Sequence, residues 1–384
     1  MTPKNVICLV VDRLQAGMLG PYGNTWVRTL HVDRLAAQSF VFDQAIACNP
    51  SLAAVLDDLW PAEFFGNRPA TLITDDPAVN SHPSAALFAE KRLIEPASEF
   101  LEASDIATTQ LAEFFRQSVE WLGGRQDPFC LFLHTRGMAG PWDAPWALRE
   151  QYADEEDPRP PEFVVPPEHF LAPGYDPDEL LGIQHAYAGQ VSVFDTCLGV
   201  LLDALEESPF AASTLFVLVG ARGFPLGEHL RVGPCDAALY NELVHVPLLV
   251  RSPGDVGALA RSQALVTHRD LPPLLTDWLE LTVEGSPSPA PRLSSHIRGE
   301  PNVGRDHLRF SSNLDRAIRT PAWYLRESGE GSTVKHELYV KPDDHWEVND
   351  IADRCPEIAT QLADVLANPG LRNPLPDALV EEWC

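Results

Sequence analysis

Apolar runs of strand length recur at residues 6–11, 70–74, 129–134, 214–219 and 246–250, with segments of helical period between them. The clearest helices are 105–122 and a long one over about 177–207. In the long one Tyr187, Val191, Phe194, Leu198, Leu201 and Leu205 return at steps of three and four. Strands alternating with helices predict an α/β fold: a doubly wound, largely parallel sheet flanked by helices, with any site beyond the carboxyl ends of the strands. Asp12, His134 and the turn 220–223 stand at such ends.

The pattern changes after a Pro-rich stretch at 285–291. Residues 307–311, 317–326 and 336–340 alternate like antiparallel strands, and 356–367 reads as a closing helix. This divides the chain into an α/β domain over 1–299 and a small carboxy-terminal domain, antiparallel sheet plus helix, over 300–384. Between 142 and 173 the chain is rich in Pro, Asp and Glu without periodicity, which predicts a long surface excursion beside the site, placed to cover it.

The 384 residues carry 55 acidic against 28 basic side chains, a formal charge of −27. That balance opposes long-range attraction to nucleic acid, to anionic membrane and to highly sulfated polymers, so an anionic ligand needs a local basic pocket. The run 6–11 is too short for a signal peptide or a span, and no other segment approaches membrane length. Seven cysteines, at 8, 48, 130, 197, 235, 355 and 384, include no CxxC pair. Neither a disulfide framework nor a thiolate zinc site is suggested, and the expected compartment is the cytoplasm. Cys8, Cys130 and Cys197 lie in strand or helix patterns and read as small buried hydrophobes.

Cys48-Asn49-Pro50-Ser51-Leu52 has the form Cys-x-Pro-Ser-Arg with its last residue replaced. Upstream stand 5–12 (NVICLVVD), Gly20-Pro21-Tyr22-Gly23-Asn24, Val32-Asp33-Arg34-Leu35-Ala36 and Phe42-Asp43-Gln44-Ala45. Downstream stand Leu239-Tyr240, 246–249 (VPLL), Asp270-Leu271-Pro272-Pro273, 316–325 (RAIRTPAWYL), Glu337-Leu338-Tyr339 and Asn349-Asp350-Ile351-Ala352. In these segments and their order the chain resembles the sulfatases of the alkaline phosphatase-like superfamily over nearly its whole length.

The resemblance implies a formylglycine made from the motif cysteine, whose hydrated form supplies the nucleophile, and a carboxylate-held divalent cation, Ca²⁺, that polarises the ester. This chain departs from that pattern position by position. The first ligand pair, usually Asp-Asp, is Asp12-Arg13; the second, in a Ser-Asp-His-Gly turn, reads Gly220-Ala221-Arg222-Gly223. Only Asp12 remains as a metal ligand, and no cofactor is expected, since Ca²⁺ takes about 6–8 oxygens. Asp12 also fits a strand-end carboxylate paired with a cation or capping a turn. Leu52 replaces the arginine read by the activating machinery, which predicts an unmodified Cys48. Its thiol is either activated at a helix start or simply packed. Asp57-Asp58 stands where Thr-Gly is usual, and Ala139 where a substrate-contacting histidine is expected. His134 is either a pocket-facing catalytic group or a buried, hydrogen-bonded histidine. Gly233-Pro234-Cys235-Asp236 occupies the stretch where a basic residue is often found.

Three readings follow. In the first the chain is a catalytically impaired sulfatase homologue whose former sulfate-ester pocket takes a small anionic ligand (sulfate, phosphate or a sulfated sugar) on Arg13 and Arg222. Within it, the competing arrangement has Arg222 filling the vacated cation position and salt-bridging Asp12. In the second the chain is an active sulfuric or phosphoric ester hydrolase with a rearranged site, using Cys48 or His134. In the third it is a structural or interaction protein with no pocket ligand.

Overall fold

In the computed structural model, described for residues 4–65, 68–96, 101–233, 238–281, 292–300, 304–329, 331–368 and 375–380, alternation along the central strand decides the layering. Strand β1 (Asn5–Val11) is buried at every residue. Ile7, Leu9 and Val11 enter one apolar cluster with Phe114, Val191 and Phe194 from the helices Gln110–Gly123 and Pro177–Glu207. Val6, Cys8 and Val10 enter another with Leu56 and Leu275 from the helices Leu52–Leu59 and Leu271–Leu279. A strand apolar on both faces needs a helical layer on each side, which is the doubly wound arrangement the pattern predicts.

The remaining strands, in chain order, are β2 (Phe40–Ile46), β3 (Thr71–Thr74), β4 (Glu90–Leu93), β5 (Cys130–Thr135), β6 (His169–Phe170), β7 (Thr214–Gly220), β8 (Arg231–Val232), β9 (Leu248–Arg251) and β10 (Ala260–Thr267). The main sheet has the order β10-β2-β9-β7-β1-β5-β3-β4. Among the described strands of this sheet only β9 runs antiparallel, against both β2 and β7. Both edges are polar: β4 reads Glu-Lys-Arg-Leu and is largely exposed, and β10 carries an irregular register between Ser262 and Leu265. Charged, irregular edges resist pairing with another chain, and they give no apolar run for a pattern to detect.

The long helix begins where Asp176 accepts from the Asp178 amide, at 3.0 Å, ahead of Pro177 at the first helical position. By length and composition it is able to cross a membrane, contrary to the expectation that no segment reaches that length. Here 78% of its most apolar window is buried inside the protein, so its hydrophobicity is that of a core helix.

Buried Arg149 helps to tie down the excursion after β5, alongside the Ala144 amide on Gln190 Oε1 at 3.0 Å and Tyr152 Oη on Ser192 Oγ at 2.7 Å. Arg149, fully buried, donates from Nη1 to the carbonyls of Pro161 (2.7 Å) and Phe163 (2.9 Å), from Nε to Ala144 (3.1 Å), and from Nη2 to Trp142. Residues 142–163 are thereby folded onto Gly189 of the long helix, where an added Cβ would lie 3.1 Å from the arginine.

The carboxy-terminal sheet is antiparallel in the order β11 (Leu308–Ser311), β12 (Asp315–Arg319), β13 (Trp323–Ser328), β14 (Lys335–Val340). Residues 317–326, expected as one strand, break at Pro321, where the Trp323 amide donates to Thr320 Oγ1 at 2.9 Å. Helix Pro356–Ala367 packs Leu362 and Leu366 on one face with Ile318, Leu325 and Leu338. Phe310, Tyr324 and Tyr339 on the other face share a cluster with Leu239, Tyr240 and Leu243. Core is thus continuous across the expected 299/300 boundary. The Pro-rich linker at 285–291 lies outside the described residues.

Candidate functional site

Parallel register brings the carboxyl ends together. Val10 lies opposite His134, Val11 opposite both Thr135 and Gly220, and Thr74 opposite His134. Asp12, Asp75, His134 and Ala221 therefore meet at one end of the sheet, with the Cys48 loop leaving β2 nearby. The turn Gly137–Ala139 presses on the same point: the Met138 amide donates to Asp12 O at 3.0 Å, and a Cβ on Gly137, at φ 51°, would lie 2.8 Å from that oxygen. Only glycine fits there.

Asp12, at 1% exposure, accepts from Arg222 twice, Nε to Oδ1 at 2.8 Å and Nη2 to Oδ2 at 3.0 Å. The third guanidinium nitrogen, Nη1, donates to Pro50 O at 3.0 Å in the Cys48 loop. Burial alone would raise the Asp12 pKa; the charge and hydrogen bonds of Arg222, helped by Arg13 and His134, outweigh it and hold the carboxyl below its usual range. Arg13 is buried, at φ 61°, with Nη1 on Gly223 O at 3.4 Å. Tyr187 fixes its backbone, donating to Arg13 O at 2.8 Å while accepting from the Gln15 amide at 2.9 Å.

His134 is fully buried. Its Nδ1 lies 3.1 Å from Thr74 Oγ1, and its Nε2 has no hydrogen-bond partner among the described residues. Burial pushes its pKa down, against the pull of Asp12 and Asp75. Asp75, which pattern reading passed over, accepts from Thr135 Oγ1 (2.9 Å) and the Arg136 amide (2.8 Å), and burial raises its pKa. The available signal was its place one residue beyond a parallel strand.

Cys48 lies four residues before the helix that starts at Leu52, not at its first turn. Burial raises its thiol to about 12; the charged groups that bear on it are Asp58, Arg269, Arg305 and Asp270, a set separate from that around Asp12. Arg269 pairs with Asp58 at 2.7 Å, and Arg305 grips both oxygens of Asp270 at 2.5 and 2.6 Å. Cys48, half-buried, does not reach the helix amide end that would favour a thiolate, and desolvation acts in the opposite direction. Five cysteines, Cys8, Cys48, Cys130, Cys197 and Cys355, are free; Cys235 and Cys384, like the rest of 234–237, lie outside the described residues.

The donor set does not fit a calcium ion. Both Asp12 oxygens are taken by a guanidinium, Ala221 offers no side-chain oxygen, and two cations stand where further ligands would be needed. Among the described residues no group of three His, Cys, Asp or Glu side chains is placed to hold a metal.

Residues 98–281 match the family model described as Sulfatase, a stretch that includes His134 and the 220–223 turn but begins after Asp12 and Cys48. Iduronate 2-sulfatase from Mus musculus is 23% identical over 361 residues, covering 72% of this chain and 64% of its own length; that of Homo sapiens is 24% identical over 339 residues, covering 66% and 60%. The chain thus spans less than two thirds of these relatives. Phosphonate monoester hydrolase of Agrobacterium radiobacter shares the fold with a TM-score of 0.76 at 17% identity over 95% of both chains. So does a protein solved with its substrate D-glucosamine-2-N,6-O-disulfate, with a TM-score of 0.77 at 15% identity over 97% of this chain and 99% of that one. Residues 98–281 thus carry the match to the Sulfatase family model, and the chain is similar in sequence to these iduronate 2-sulfatases and shares the fold of these solved structures.

Proposed function

We propose that this sulfatase-fold chain does not hydrolyse esters by the formylglycine and calcium route, and that the Asp12–Arg222 ion pair occupies the position where the family holds its cation. The bidentate contact carries this reading: an arginine with Nε and Nη2 on one buried carboxylate and Nη1 on Pro50 O substitutes internally for a metal charge. It favours a closed pair over a metal-independent anion receptor on Arg13 and Arg222. The high thiol pKa of Cys48 weighs against a rearranged hydrolase built on that residue. A cytoplasmic setting agrees with the five free thiols among the described residues.

Calcium titration followed by thermal unfolding tests the proposal. The melting temperature should not respond beyond the effect of ionic strength. A saturable calcium-dependent rise lost in Asp12→Ala, or calcium-dependent turnover of p-nitrophenyl sulfate with a formylglycine mass at position 48, would overturn it. Sulfate and phosphate titrations at fixed ionic strength address the anion: saturable stabilisation lost in Arg222→Ala would restore the receptor reading.

A further inference from the structure

A cleft of about 500 Å³ is lined by Gln15, Trp26, Gln184, Glu228, His345 and Trp346 among others. Its volume suits a small organic molecule. Trp26 and Trp346 stay 38% and 53% exposed although both are anchored. Trp26 packs on Tyr152 at 5.4 Å, and the Trp346 ring edge lies 3.5 Å from where a Cβ on Gly17 would sit. Large aromatic faces held open at a cleft are ready to receive an apolar skeleton or a cation.

Hydrogen bonding sets the polarity of the lining. Gln15 Nε2 donates to Glu228 Oε1 at 2.9 Å, and Gln184 Nε2 donates to Leu226 O at 2.9 Å. Both partners accept only, so each amide must present its nitrogen to the protein, which leaves its oxygen without a partner among the described residues. Glu228, whose Oε2 accepts from the Leu226 amide at 2.5 Å, adds a carboxylate fixed in place. No lysine or arginine is among the described lining residues, and burial keeps His345 below the usual imidazole range. The cleft therefore offers acceptors, one negative charge and aromatic faces, on a chain of formal charge −27.

We infer that this cleft binds an organic primary ammonium, its N–H donors taken by Gln15 Oε1, Gln184 Oε1 and the Glu228 carboxylate and its carbon skeleton laid against Trp26 and Trp346. Ammonium is favoured over a neutral donor because the carboxylate lies in a cleft with no compensating lining cation. A primary amine is favoured over a quaternary one because the free acceptors need N–H groups. The inference does not rest on the fate of the calcium position.

Isothermal titration of the full chain with phenethylamine, 2-phenylethanol and N,N,N-trimethylphenethylammonium at fixed ionic strength tests it. Phenethylamine should bind saturably at one site, with Kd of about 1 mM or tighter. The alcohol and the trimethyl compound should each bind at least about tenfold more weakly, a loss of roughly 1.4 kcal/mol. Trp346→Ala, a change at a half-exposed ring, should weaken phenethylamine similarly while leaving the melting temperature near that of the parent; Glu228→Gln should do so without removing shape. Equal binding of the alcohol would make the cleft merely apolar, and equal binding of the trimethyl compound would remove the hydrogen-bonding assignment. No saturable binding, or binding indifferent to Trp346→Ala, would overturn the site.

Discussion

At Cys48 burial outweighs the charges around it. With a thiol at about 12, the thiolate fraction near neutrality is roughly three orders of magnitude below that of free cysteine. Carbamidomethylation at pH 8 with peptide mass mapping should therefore label Cys48 far more slowly in the native chain than in the unfolded one; equal rates would show an accessible, ionised thiol. Asp12 and Arg222 behave as one unit. Removing only Arg222 strands a buried carboxylate, so Arg222→Ala should cost about 3–5 kcal/mol. Asp12→Ala combined with Arg222→Ala should cost clearly less than the two single losses added, as denaturant unfolding of the four chains would show. Because the folded-state pKa of Asp12 is lowered, the stabilisation is present above the ordinary aspartate range and is lost as pH falls through the folded value.

Elements here are positioned by buried polar braces as much as by apolar faces. The excursion 142–173 has little periodic hydrophobicity; Arg149 holds its start by donating to four carbonyls. Arg149→Ala leaves those acceptors without their donor, and a loss on the order of 3 kcal/mol is expected. Limited proteolysis should then cut within 150–170 before the rest of the chain; an unchanged cleavage pattern would mean the excursion is held otherwise. His245 braces the join between β2 and β9, its Nε2–H donating to Asp43 O at 2.8 Å. Burial lowers its pKa to about 3. Above the ordinary imidazole value both states are neutral; as pH falls below it only the unfolded chain takes the proton, so stability falls. At pH 5 this loss amounts to about 2 kcal/mol. His245→Gln should flatten the melting-temperature decline between pH 7.5 and 5, and an unaltered slope would assign it to other groups.

For the whole molecule, the question is whether the carboxy-terminal sheet folds as a separate unit. Tyr324 and Phe310 share apolar core with Leu239 and Leu243, and buried Arg326 donates to Asp315 at 2.8 Å, to Tyr240 Oη at 2.8 Å and to Glu337. That interface predicts one calorimetric transition for the full chain, displaced to lower temperature as a single peak by Arg326→Ala. Two resolved transitions in the parent chain would show that the segments on either side of 300 unfold independently.

Strand–helix alternation was enough to specify the layers, because a strand apolar on both faces and a helix apolar along one stripe have few ways to be covered. The helices 177–207 and 356–367 were legible to their ends, from Asp176 before Pro177 and from Pro356 at a first turn. The polar edges β4 and β10 were not, since an edge strand is specified by its neighbour rather than by its own hydrophobicity. The order of residues also singled out Arg13, Ala221, Arg222 and Leu52, at positions to which the resemblance to sulfatases draws attention. What those residues do was decided in three dimensions. Only register shows that Asp12 and Arg222, 210 positions apart, meet as a bidentate pair. Only packing shows that burial raises the Cys48 thiol and that His134 Nε2 meets no hydrogen-bond partner among the described residues. The side chains that line the aromatic cleft come from four distant stretches of chain, so no local pattern could place them together. Periodicity records which face of an element is buried; charge partners and pKa depend on what other segments bring to that face.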